Sequence, residues 1–277
     1  MYAVKKFDNG FEYIEVSNTK ASAKIALQGA HLFEYKREGE EDILWLSEES
    51  SFENGTAIRG GIPICWPRFG VLDKSMPAHG FTRTALFELL RVEEKDDSTT
   101  EVLFYLEYSP ESRAIWNYAF RLEVKFIIGE KLEVELTTKN LDSKEMLITE
   151  ALHTYFRVSD IADVEIRGLE SCTFIDTLED RRSSEDKSIK IDAECDRVYL
   201  NVNEKITLHD KNREVELTSQ GASSAIVWNP WIEKGSRMSG MRADAYKEFV
   251  CIESANAFDN AYTLKPSVSH TLYLQLN

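Results

Sequence analysis

Long apolar runs are missing from this 277-residue chain. No stretch approaches the roughly 18 apolar residues that a membrane-spanning helix needs. The opening Met1-Tyr-Ala-Val-Lys-Lys-Phe-Asp8 lacks the apolar core of a secretory leader. Paired cysteine spacings are missing too: Cys65, Cys172, Cys195 and Cys251 stand far apart. They fit reduced thiols in a cytoplasmic protein better than a disulfide framework or a zinc site. Positive charge is scarce, with 33 Lys and Arg against 48 Asp and Glu and a net charge of −15. Such a surface repels nucleic acid and anionic membrane, so neither is expected as a partner. It also repels an anionic metabolite, unless a local cationic cluster prevails within the screening distance of roughly 8 Å. No Gly-x-x-x-x-Gly-Lys loop, His-Glu-x-x-His pair or Gly-x-Ser-x-Gly elbow occurs. Arg59-Gly-Gly-Ile-Pro63 is not a dinucleotide fingerprint, because proline follows the glycines and no helix opens there. Helical periodicity is equally scarce, and residues 238–247 form the best short candidate.

What the chain does have is short alternating segments rich in branched and aromatic residues. They fall at 11–16, 23–27, 31–35, 85–92, 102–108, 119–128 and 132–137, then at 164–166, 172–175, 206–208, 215–218, 225–228, 249–253 and 271–276. Leu132, Val134 and Leu136 alternate with Glu133, Glu135 and Thr137, the pattern of a half-buried antiparallel strand. Gly129-Glu130 reads as a two-residue hairpin turn before Lys131. Strands at this spacing predict an all-β protein, a large antiparallel β-sandwich. No composition shift marks a linker, so residues 1–277 are expected to form one domain.

Ile148-Thr-Glu-Ala-Leu-His-Thr-Tyr-Phe156 carries a candidate for chemistry. Read as a strand, it turns Ile148, Leu152 and Phe156 to one face and Thr149, Ala151, His153 and Tyr155 to the other. His153 would then sit among small and hydroxylated residues, either as a proton-transfer group or as an internal hydrogen-bonding one. Residues 58–70 and 77–83 mix Gly and Pro with Trp, Phe and Arg, so neither can be regular throughout. Their buried backbone groups need partners, which predicts loops held in one conformation. His79 lies in the second loop; His31, His209 and His270 are read as having no chemical role. Glu253, inside the apolar run Phe249-Val-Cys-Ile-Glu-Ser-Ala255, is a carboxylate that burial would push toward a raised pKa. It could serve catalysis or a structural ion pair. Asp176 is the next candidate and could as easily cap a turn. Arg59, Arg68 and Arg83 place three guanidiniums in the two irregular loops, a local cationic enrichment that suits phosphate.

Five segments in order resemble the aldose 1-epimerase (mutarotase) superfamily, and within it the hexose-6-phosphate branch known as glucose-6-phosphate 1-epimerase. They are Ala57-Ile-Arg-Gly-Gly-Ile-Pro-Ile-Cys-Trp-Pro-Arg-Phe-Gly70, Ala78-His-Gly-Phe-Thr-Arg83, Glu150-Ala-Leu-His-Thr-Tyr-Phe156, Trp228-Asn-Pro-Trp231 and Phe249-Val-Cys-Ile-Glu-Ser-Ala255. The resemblance implies a galactose mutarotase-like supersandwich with a sugar cleft on one sheet. It implies His153 as general acid, Glu253 as general base, substrate contacts from Arg59, Arg83 and Asp176, and His79 lining the same site. Two positions depart from the family: Ala78 stands where some members have Gln, and Arg68 where the loop often has Trp or an apolar residue.

The implied reaction is interconversion of α and β anomers of a hexose 6-phosphate by acid–base ring opening, with no metal or redox cofactor. Two alternatives stay open. One is a free-aldose 1-epimerase, against which the three guanidiniums count. The other is a non-catalytic carbohydrate-binding protein, against which the retention of both His153 and Glu253 counts.

Overall fold

The computed structural model describes residues 1–71, 75–211 and 213–277. Two eight-stranded antiparallel sheets dominate it, joined by a four-stranded and a two-stranded sheet. One large sheet runs Arg181–Ser184, Thr173–Asp176, Cys195–Leu200, Ser224–Asn229, Phe249–Asn256, Glu150–Leu152 and Ile64–Cys65, and Tyr155–Arg157 also pairs with Phe249–Asn256. The other runs Glu165–Arg167, Lys205–Asp210, Arg213–Gln220, Ser269–Leu276, Leu132–Asn140, Phe120–Ile128, Thr100–Glu107 and Glu88–Glu94. Strands Tyr2–Lys6, Glu12–Ser17, Ala21–Ala26 and His31–Arg37 form the N-terminal sheet.

Strict alternation explains the layering. Along Phe120–Ile128 every second residue is buried, and Leu132–Asn140 repeats the pattern beside it. Their inward residues, Val124, Phe126, Val134 and Leu136, share one core cluster with Val227, Val250 and Ile252 of the first sheet. Burial of a side chain of this size contributes roughly 1.5–3 kcal/mol, so the inter-sheet layer is a main source of stability. A second cluster, with Ala151, Tyr155, Val198, Ile226, Trp228 and Cys251, lies on the opposite face of the first sheet. Strands buried on both faces read as continuous apolar runs, as at 249–255.

The alternating segments at 11–16 through 271–276 all lie on strands or overlap them. Two expectations need correction. Residues 238–247 do not form a helix: Gly240 at φ +69° breaks the run, and only Ala245–Glu248 coils, as a 3-10 turn. Among the described residues the short α-helices are Pro110–Ile115 and Trp231–Gly235. The hairpin at residues 129–131 has three residues rather than two, since Ile128 pairs with Leu132. The strand Cys195–Leu200 was not anticipated, because Asp196 and Arg197 interrupt its apolar pattern.

The loop at residues 57–70 is held as the alternation-free sequence requires. Gly61 N donates to Trp45 O at 2.7 Å, and Gly61 O accepts from Tyr155 N at 2.9 Å. Pro63 O accepts from His153 N at 2.9 Å, and Pro67 O from Thr149 N at 2.9 Å. The loop therefore serves as a partner strand for residues 149–155 while tolerating its prolines. It crosses the second irregular loop at Gly80, where an added Cβ would lie 1.9 Å from Trp66 O with φ at +78°. Gly10 has a similar φ of +85° but nothing within 4 Å. Gly80→Ala is therefore expected to lower stability by well over about 1 kcal/mol, and by clearly more than Gly10→Ala. Denaturant midpoints of the two variants check this, and equal midpoints would contradict the crossing.

Candidate active site

Pairing between residues 150–157 and 249–256 follows one register throughout. Glu150 faces Asn256, Ala151 faces Ala255, Leu152 faces Ser254, and beyond a short break Tyr155 faces Cys251. That register sets His153 against Glu253, and His153 Nε2 lies 3.4 Å from Glu253 Oε1. Both side chains are nearly closed to solvent, at 11% and 1% exposure. His153 Nδ1 and Glu253 Oε2 have no hydrogen-bond partner among the described residues. Each thus keeps hydrogen-bonding capacity directed at something other than the protein.

Burial drives both groups toward neutrality. The Glu253 carboxyl is pushed well above the usual carboxylate range, first by burial and then by Asp196, with Arg83 opposing. The His153 imidazole is pushed well below its ordinary value by burial, then by His79 and Arg83. Both shifts favour the neutral forms, a protonated carboxyl beside a neutral imidazole.

The pair lines a cleft of about 470 Å³ on the outer face of the sheet. Arg59, His79 and Arg83 line it as well, together with Tyr155, Trp228, Asp196 and Lys234. Arg83 Nη2 donates to Ala78 O at 2.5 Å. The Nε atoms of both arginines are buried without partners among the described residues. His79 adopts φ +63°, a left-handed conformation that a non-glycine residue holds only when its surroundings impose it. Its amide donates to Gly70 O at 2.9 Å, and its ring lies 5.7 Å from that of His153. Burial, then Arg83 and Arg59, lower the His79 imidazole to about 3. Ala78 also lines the cleft, but Arg68 does not.

Asp176 requires a correction. It follows Ile175, which belongs to the cleft-face cluster, so alternation turns the Asp176 carboxylate to the other side of the sheet. There it accepts from the Leu178 and Glu179 amides at 3.1 and 3.3 Å and lies 3.8 Å from Arg197 Nε. It caps a turn and does not line the cleft. Asp196 does line it, one strand closer to Glu253, opposite Trp228 in register. Its carboxyl is raised by burial, with Thr177 and Lys234 opposing. Lys234 Nζ lies 3.8 Å from Asp196 and 2.9 Å from Glu194. Sequence reasoning missed Asp196 because no apolar alternation flags its strand. Lys234, three residues past Trp231 of the Trp-Asn-Pro-Trp segment, was within reach of that motif.

Among the described residues no group of three or more His, Cys, Asp or Glu side chains is arranged to hold a metal ion, and no helix is long and apolar enough to cross a membrane.

An imidazole and a carboxyl in cross-strand contact, on one face of a two-sheet antiparallel sandwich, define a mutarotase-type β-sandwich. The chain belongs to the aldose 1-epimerase family, whose model matches residues 12–277. It is 37% identical over 271 residues to a protein of Escherichia coli K12 named "Putative glucose-6-phosphate 1-epimerase", covering 96% of this chain and 90% of the relative. A relative of the same name from Cenchrus ciliaris is 32% identical over 276 residues, covering 94% and 83% of the two chains. A crystal structure titled a putative mutarotase from Salmonella typhimurium superposes with a TM-score of 0.93 at 34% identity, over 99% of this chain and 92% of that one.

The histidine environments yield a measurable expectation. An imidazole held neutral in the fold but free to take a proton when unfolded makes stability fall as pH drops below about 6.5. His79 is lowered to about 3, and His31, buried and bonded to Gly60 O, to about 4. Imidazole NMR signals of both should therefore stay those of the neutral ring from pH 8 down to about 5. A titration of either near its ordinary value would contradict the buried arrangement.

Proposed function

We propose that the chain is a hexose-6-phosphate 1-epimerase, an isomerase that interconverts α and β anomers by opening and closing the ring. The observation that carries this reading is the in-register His153–Glu253 contact in a cleft shared with two partly unsatisfied guanidiniums. Family membership and the names of the curated relatives support the reaction and the substrate class. The reaction is proposed to run in one domain spanning residues 1–277.

Glu253, as carboxylate, takes the proton of the anomeric hydroxyl. His153, as imidazolium, gives a proton to the ring oxygen. The C1–O5 bond breaks and C1 becomes an aldehyde. Rotation about C1–C2 presents the other face, and the reverse transfers close the ring with the opposite configuration. Opening leaves Glu253 protonated and His153 neutral, the distribution that burial favours in the cleft. The two proton arrangements of the pair are thus the two ends of one ring-opening step. The hydroxyls of a bound sugar stabilise the charged arrangement by hydrogen bonds to both groups. No proton leaves the pair for solvent, and a closed proton cycle suits a site so little exposed.

Across the sheet, Arg59, Arg83 and His79 lie on one side of the pair and Asp196 on the other. Arg59 and Arg83 are assigned to the phosphate, and Asp196 to sugar hydroxyls. Trp228 and Phe69 supply apolar walls for the sugar C–H groups. The free-aldose reading has no use for two guanidiniums in the cleft whose buried Nε atoms lack partners among the described residues.

His153→Ala and Glu253→Gln should each lower the exchange rate of α-glucose 6-phosphate anomers by ~10²–10⁴-fold, with circular dichroism unchanged. A folded variant exchanging near the wild-type rate would remove that residue from its role.

The pH profile of kcat/KM should be bell-shaped. It falls on the acid side as the pair takes a second proton, and on the alkaline side as it loses its single one. A profile that falls on neither side, out to the pH limits of the folded protein, would count against transfer by these groups.

Arg83→Ala should cost on the order of 10–100-fold in kcat/KM for glucose 6-phosphate, from about 1.5–3 kcal/mol per charge-assisted bond, and far less for glucose. Asp196→Asn should impair both sugars, and Asp176→Asn neither. If wild-type protein turns over glucose as well as its 6-phosphate, and Arg83→Ala harms both alike, the free-aldose reading replaces this one.

A further inference from the structure

Behind the catalytic strands, on the side turned away from the cleft, lies a second carboxyl–imidazole pair that the proposed reaction does not use. Glu150 is fully buried and His270 is 8% exposed, with His270 Nε2 3.0 Å from Glu150 Oε1. Asn256 Nδ2 donates to the same Glu150 oxygen at 3.1 Å and to Gly221 O at 2.7 Å. Asn256 Oδ1 accepts from Ser223 N at 3.0 Å. With both Asn256 amide protons committed, its 3.1 Å approach to His270 Nε2 is a contact, and that ring nitrogen donates to Glu150. The Tyr262 ring stacks on His270 at 4.0 Å and 25°. Glu150 Oε2 has no hydrogen-bond partner among the described residues.

As a stabilising device the cluster is poor. A buried carboxylate with one oxygen unsatisfied is commonly no better for stability than an apolar side chain of similar volume. Its connections give it a different use. Glu150 and Asn256 face each other in the register that, three places further along, sets His153 against Glu253. A slip of one residue would carry His153 to the inter-sheet face, because side chains alternate. The strand carrying His153 is also broken between Leu152 and Tyr155, so few ladder bonds hold the register there. His270 stands on Ser269–Leu276 of the opposite sheet, so the cluster fixes both catalytic strands against that sheet as well.

We propose that Glu150, Asn256 and His270 are positioning residues that lock the strand register on which the His153–Glu253 contact depends. The proposal rests on the reading of His153 and Glu253 as acid and base.

The test compares Glu150→Leu, Glu150→Gln and His270→Leu with the wild type and His153→Ala, by anomer exchange of glucose 6-phosphate and by thermal unfolding. Glu150→Leu should stay folded with a melting temperature near or above wild type. Its kcat should fall about 10–100-fold with KM changed less than about threefold, since a displacement of about 1 Å costs on this scale. Glu150→Gln keeps the acceptor oxygen for Asn256 and should recover most of kcat. A folded Glu150→Leu with kcat within about threefold of wild type overturns the proposal, and so does a Gln variant as slow as the Leu one. Where Glu150→Leu does not fold, His270→Leu decides by the same kcat loss at constant KM. If neither folds, the cluster serves folding alone and the positioning role is lost. Failure of the underlying reading looks different: the wild type would not exchange anomers, or His153→Ala would exchange them as fast as wild type.

Discussion

The register between residues 150–157 and 249–256 is the constraint on which the candidate site depends. A carboxyl and an imidazole far apart in sequence meet at 3.4 Å because two antiparallel strands count residues in opposite directions from a fixed starting pair. Strand pairing supplies that accuracy cheaply, since the side-chain period of two admits no intermediate position. The chain interrupts the first strand at His153 and Thr154, and completes the pairing with the loop at residues 57–70. An irregular segment thereby substitutes for ladder bonds at the place where a fully regular strand would leave no room for a cleft.

Burial and most of the neighbouring charges act on the pair in the same sense, and only Arg83 on Glu253 opposes. Enclosure disfavours both ions, while the arginines and Asp196 adjust how strongly. Arg83 opposes the rise of Glu253 and deepens the fall of His153. One guanidinium thus favours the carboxylate and disfavours the imidazolium, so a bound anion compensating Arg83 would ease protonation of His153. The protein's net charge of −15 repels anions at long range. The short screening distance lets the two loop arginines govern the cleft all the same.

Similarity extends from sequence to superposition. Inter-sheet layers tolerate exchange among apolar residues of similar volume, so the sandwich outlasts most of its sequence. The cleft is built differently. Its residues come from separate strands and loops, and each must keep both its face and its register.

Alternation in the sequence was enough to show the all-β class, the strands at 119–128 and 132–137, and the opposite faces of Ile148, Leu152 and Phe156 against Ala151, His153 and Tyr155. These are local properties, because the face of a side chain follows from its parity along one strand. The isolated carboxylate in the apolar run at 249–255 was visible for the same reason. Asp176 and Asp196 were not separable in this way. Both are acids on short strands of mixed pattern, and only the pairing of Ile175 with Val198 and of Asp176 with Arg197 decides which faces the cleft. The role of His270 was hidden likewise, since its partner Glu150 lies 120 residues away on the other sheet. The sequence by itself determined which residues could bear protons and, where alternation was clear as at His153 and Glu253, which face of its own strand each would occupy. Tertiary structure alone decided which of them meet, because register and sheet order depend on contacts between segments that no local pattern encodes.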